Sequence, residues 1–154
     1  MAAFGFSVGD FVDGIELVRQ LINALKRGSG SSKEYQDLIH ELFHLERSLL
    51  EVKHLQVCDS LRPQKIAIEQ AAAQCQDTVS HFLDQISKYQ PSLRATGSGS
   101  RWRDQLRKIQ WTLYRKEDVQ HFRAQIQGHT SSIMISLMAL QLSVFSNLPF
   151  YFRL

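Results

Sequence analysis

Apolar residues recur along most of the chain at alternating steps of three and four, the repeat of an amphipathic helix, and no stretch alternates in the manner of a strand. The longest such run lies between Glu117 and Phe145. Val119, Phe122, Ile126, Ile133, Leu137, Leu140 and Val144 hold the repeat once Thr130 fills its one polar step. After Ile133 the apolar positions spread to Met134, Ile135, Met138 and Leu142, which predicts a rod surrounded by neighbours nearly all round.

Three helices are predicted ahead of the loop. Residues 8–27 carry the stripe Val8, Phe11, Ile15, Val18, Ile22 and Leu25, with Ser7 or Asp10 as N-cap and Gly28-Ser29-Gly30 as the stop. Ser31, Ser32 and Glu34 open the next, which runs to about Val57 on Tyr35, Leu38, Leu42, Leu45, Leu49 and Val52. The third starts near Pro63, a residue suited to a first helical turn, and ends before Pro91. Its stripe is Ile68, Ala72, Cys75, Val79, Phe82, Ile86 and Tyr89, and Ala71, Ala72 and Ala73 offer a neighbour a close approach.

Residues 92–100, SLRATGSGS, read as a loop. A fourth helix follows over residues 101–115, with Trp102, Leu106, Ile109 and Leu113 on one face. The expectation is an all-α antiparallel bundle of about five helices with the C-terminal helix central. It forms a single domain over residues 1–145, followed by a short tail over 146–154.

A length of 154 residues suits one domain with a true core. Cys58 and Cys75 have no partner spacing and read as reduced thiols, Cys75 in the core, in a cytoplasmic protein. The start of the chain bears Asp10, Asp13 and Glu16 inside its apolar run, which argues against a signal peptide or a simple membrane span. From Thr130 to Phe152 no residue is charged, a length that would span a bilayer, but Ser136, Gln141, Ser143, Ser146, Asn147 and Pro149 weigh against a tail anchor.

The formal charge of +3 identifies no partner, and its distribution matters more. Arg101, Arg103, Arg107, Lys108, Arg115 and Lys116 stand against the single Asp104, interleaved with Trp102, Trp111 and Tyr114. These six are the candidate contacts for an anionic membrane surface, set against a solvated face whose arginines pair with acids on other helices. No helix resembles a groove-reading motif, so nucleic acid is not an expected partner. At the other end Phe4, Phe6, Phe11 and Ile15 form a candidate membrane-probing segment, with a hydrophobic staple as the plainer reading.

His40-Glu41-Leu42-Phe43-His44 satisfies the HExxH zinc-protease string. Hydrolysis also needs a third ligand and an open water position, and the extended motif fails at Arg47 and Leu50. The heptad sets both histidines off the apolar face. No metal, cofactor, catalytic set or small-molecule substrate is expected.

Three stretches taken together resemble a known group of domains: FGFSVGDFVDGIELV, YQDLIHELFHLERSLLEVKHL, and the segment from Ile109 to Ile133. Its most specific part is Trp111 followed by Lys116-Glu117-Asp118-Val119, Phe122 and Gly128-His129-Thr130. They are similar to the N-terminal helical domains of fungal NLR-like (NACHT or other STAND) and ubiquitin-like-domain proteins, akin to HeLo and HeLo-like domains. The resemblance implies a non-enzymatic signalling or effector domain of fungal immunity or programmed cell death. It also implies protein partners or self-association, and a move from cytoplasm to the periphery of the plasma membrane on activation. An adaptor bundle without membrane activity is the alternative. Insertion of the N-terminal helix is opposed by Asp10, Asp13 and Glu16, at about 2.5 kcal/mol or more for each that reaches the bilayer centre.

Overall fold

The computed structural model describes residues 8–28, 30, 32–89, 111 and 115–147. The chain is all-α. Among the described residues are four α-helices, α1 (Val8–Gly28), α2 (Lys33–Lys53), α3 (Arg62–Tyr89) and α4 (Lys116–Ser146), with a 3-10 turn at Asp59–Leu61. The predicted helix over residues 101–115 lies outside the described residues except at its buried Trp111 and exposed Arg115.

Each helix begins and ends where the local chemistry dictates. Lys26 and Arg27 occupy the last turn of α1, the negative end of its dipole, and Gly30 just beyond takes φ +63, a left-handed conformation that costs glycine little. Ser32 caps α2 through its backbone, whose carbonyl accepts from the Gln36 N–H at 3.0 Å, while its hydroxyl donates to Glu34. α2 stops at Lys53, earlier than the expected Val57. His54 closes it, and residues 55–58 leave the helix so that the Asp59–Leu61 turn can drive Leu61 into the core and aim α3. Glu117 and Asp118 sit at the positive end of α4.

The side chains then set the arrangement. Consecutive helices run antiparallel: Arg19 pairs with Glu46 and Lys26 covers Phe43 between α1 and α2, and Thr78 meets His129 while Phe82 meets Phe122 between α3 and α4. Around the bundle the order is α1, α2, α4, α3, so α2 and α4 lie side by side. Lys116, Arg123 and Gln127 pair in ascending order with Glu34, Asp37 and Glu41, and those two helices are therefore parallel. α1 and α3 complete the ring where Gly14 is buried facing Gln76; a methyl group at Gly14 would stand 3.5 Å from the Gln76 Cβ.

The core is one continuous cluster. It takes Ile15, Val18, Ile22 and Leu25 from α1 and Leu38, Leu42, Leu45 and Leu49 from α2. Val79, Phe82 and Ile86 join from α3, and Val119, Phe122, Ile126, Ile133, Leu137 and Leu140 from α4. Two expectations for the C-terminal helix are corrected. It forms one side of the ring and is not the central rod, because α2 and α3 cover only one of its faces. Its second half is not enclosed all round: Met134, Ile135, Met138, Leu142, Val144 and Phe145 are exposed, so Val144 drops off the end of the buried stripe.

Candidate interaction surface

α4 presents three different faces. The first is the buried stripe just described. The second is a charged edge toward α2, where Lys116 Nζ stands 2.8 Å from Glu34 and Arg123 reaches Asp37 at 3.1 Å and Glu41 at 3.8 Å. Gln127 donates to Glu41 at 2.6 Å. The Lys116 ammonium, hydrogen-bonded to Glu34, holds that carboxyl down at about 2 with help from the Ser32 hydroxyl, and is itself raised in return. Both groups are solvated, so the pair orients the helices more than it stabilises them. Arg123 bridges two carboxylates through its terminal nitrogens, and this offsets the cost of an Nε buried without a hydrogen-bond partner. Beside this edge lies an open groove of about 640 Å³ between Glu41, Arg47 and Glu51 on α2 and Gln127, Ser131 and Met134 on α4.

The third face points away from the bundle. Ile135, Met138, Leu142 and Phe145 are 66%, 58%, 68% and 59% exposed, far beyond what buried core positions show. Single exposed apolar residues are ordinary on a soluble protein, but a contiguous row on one helix marks a contact surface. α4 is also long and apolar enough to cross a membrane. Spanning would strip Ile133, Leu137 and Leu140 out of the core they now complete.

The residues singled out from sequence divide unevenly. Phe4 and Phe6 lie outside the described residues, and Phe11 is on α1 with its side chain outside them. Ile15 is only 3% exposed and belongs to the core. Arg101, Arg103, Arg107 and Lys108 lie outside the described residues. Arg115 is exposed ahead of α4, and Lys116 is paired to Glu34. His40 and His44 are exposed on the outside of α2, and no group of three or more His, Cys, Asp or Glu able to hold a metal occurs among the described residues. Cys75 is buried, which pushes its thiol up to about 12, while exposed Cys58 is lowered by its hydrogen bond with Ser60.

Sequence reasoning missed the α2–α4 edge and the free face of α4. The edge had a signal, acids at 34, 37 and 41 recurring one turn apart and polar partners at 116, 123 and 127 on one helix face at steps of seven and four. The outer face was hidden because apolar residues on two sides of a helix look the same as apolar residues all round.

These features run through a stretch with a family pattern of its own, and residues 11–148 match the family described as pigment biosynthesis cluster protein PigL N-terminal. The chain belongs to this family. The PigL N-terminal match covers all of α2, α3 and α4 and most of α1, so the four-helix ring and the outer face of α4 lie within it. No curated protein and no solved structure matches the chain.

Proposed function

We propose that this PigL N-terminal domain is a non-enzymatic helical signalling domain whose working surface is the outer face of α4. The observation that carries this reading is the row Ile135, Met138, Leu142 and Phe145, more than half exposed on a helix whose opposite side closes the core. A domain that only needed to fold would gain nothing from that row, since exposed apolar surface raises the hazard of nonspecific association. The family description names a pigment biosynthesis cluster protein and no reaction.

The resemblance to N-terminal domains of fungal NLR-like proteins supplies the finer reading. On it, the domain is an effector of immunity or programmed cell death that rests in the cytoplasm, associates through protein contacts and reaches the plasma membrane on activation. Its first contact with an anionic membrane is assigned to Arg101, Arg103, Arg107 and Lys108. Docking needs no unfolding and gains up to about 1 kcal/mol for each basic residue near the surface. Insertion of the first helix would instead withdraw Ile15 from the core, at a cost of about 1.5–3 kcal/mol for that side chain.

Expression of the tagged chain in a fungal host tests the proposal. Growth arrest with movement to the plasma membrane, both abolished by Ile135→Asp with Leu142→Asp, supports an effector working through this face. Unchanged viability and diffuse fluorescence support the adaptor bundle. Arrest that survives the double variant removes the α4 face from the account.

A further inference from the structure

We infer that the outer face of α4 is built to pair with a second copy of the same chain, antiparallel, along a heptad seam. This rests on the reading of that face as the working surface and names its occupant.

The seam is longer than its apolar part. Ala124, Gly128, Ser131, Ile135, Met138, Leu142 and Phe145 follow one another at strictly alternating steps of four and three, and every one is exposed. That repeat keeps one line of side chains facing a partner helix over about 30 Å, whereas the core stripe on the opposite side packs within the bundle. A lipid surface has no use for such a register. A helix does.

The order of residue sizes selects the occupant. The first half of the seam is small, Ala124, Gly128 and Ser131, and the second half is large. Two copies in antiparallel register therefore set the large half of each against the small half of the other. Phe145 comes over the second copy's Gly128, Leu142 against its Ser131, and Met138 against its Ile135. A methyl added at Gly128 meets nothing within 4 Å, so the space for an incoming ring is open. A parallel pair would stack Phe145 on Phe145 and leave a hollow at Gly128.

Charge agrees with shape. No charged residue lies between Thr130 and Phe145, so the face can meet its own image without opposing like charges. The groove beside the seam carries Arg47 and, one turn on, Glu51, a solvated pair 3.7 Å apart within α2 whose side chains are 83% and 47% exposed. The two-fold axis sets both copies' grooves along the same rim in opposite directions, which brings opposite charges toward one another.

Sedimentation equilibrium and cysteine cross-linking of the full chain decide the matter. The wild type is expected to rise with concentration toward twice its 17.7 kDa mass, and Gly128→Leu to remain monomeric with helical circular dichroism retained and a dilute-solution melting temperature no lower than the wild type's, since leucine favours the helix over glycine. Gly128 is the informative site because leucine there is unobstructed in the single chain and blocks only the incoming Phe145. In a Cys58→Ser background, chains bearing Gly128→Cys should cross-link to chains bearing Phe145→Cys and not to themselves. A Gly128→Cys self-link, or a dimer untouched by Gly128→Leu, overturns the antiparallel seam. A wild type that is monomeric throughout overturns pairing altogether. Vesicles of neutral and anionic lipid then separate the two levels: binding lost in Ile135→Asp keeps the face as a working surface with lipid as its occupant, and no binding removes the face as well.

Discussion

Phe82 and Phe122 stack with parallel rings, centroids 3.8 Å apart and planes 1° from coplanar, and this contact clamps the C-terminal part of α3 to the N-terminal part of α4. Phe122 is 1% exposed and Phe82 3%. Truncating Phe122 removes both the buried area and the stacking partner and leaves a cavity at the centre of the cluster. Phe122→Ala should therefore lower stability by about 3–5 kcal/mol in urea unfolding, with helix content retained at low denaturant. A loss under about 1 kcal/mol, the usual effect of an unremarkable substitution, would mean the ring is not packed as described.

Tyr35 anchors the segment before α4. Its ring meets Trp111 edge to face with centroids 5.9 Å apart, and its hydroxyl donates to the Trp111 carbonyl. Tyr35→Phe keeps the ring contact and deletes the hydrogen bond, so it should cost about 0.5–1.5 kcal/mol, and Tyr35→Ala distinctly more. The two variants compared by thermal unfolding separate packing from hydrogen bonding.

His129 sits between α3 and α4 with its Nε2 2.7 Å from the Thr78 hydroxyl, and burial lowers its pKa below the ordinary 6.5. Because the unfolded chain takes up the proton at higher pH than the folded one, this group contributes stability that is present above pH 6.5 and is lost as pH falls from there through the folded value. Melting temperature should decline over that window. His129→Gln, which keeps a polar group for Thr78, should flatten the decline, and an unchanged profile would remove His129 as its source.

The HExxH string should bind no zinc. Both histidines are exposed on α2 and lack a third ligand among the described residues, so metal should neither survive dialysis against chelator nor raise the melting temperature. His44→Ala, on an exposed helix surface, should change stability by no more than about 0.5 kcal/mol. Stoichiometric zinc in untagged protein would defeat this expectation.

The helices are legible in the sequence, because each apolar stripe repeats with the helical period and its ends carry their own signals: Gly28 as the last residue of α1 and Gly30 beyond it, Ser32 before α2, Pro63 in the first turn of α3, Glu117 and Asp118 at the start of α4. The sequence also determined most of the core, since Leu38, Leu42, Val79, Phe122 and Ile126 have only one face to bury. Neighbour choice is different. Nothing local to α4 says that α2 lies parallel beside it; that follows from Lys116, Arg123 and Gln127 meeting Glu34, Asp37 and Glu41 across the fold. Nor does local pattern say which of two apolar sides is inside. Ile133, Leu137 and Leu140 are buried and Ile135, Met138 and Leu142 exposed because α2 and α3 reach only one side of α4, a result of how four helices close a ring.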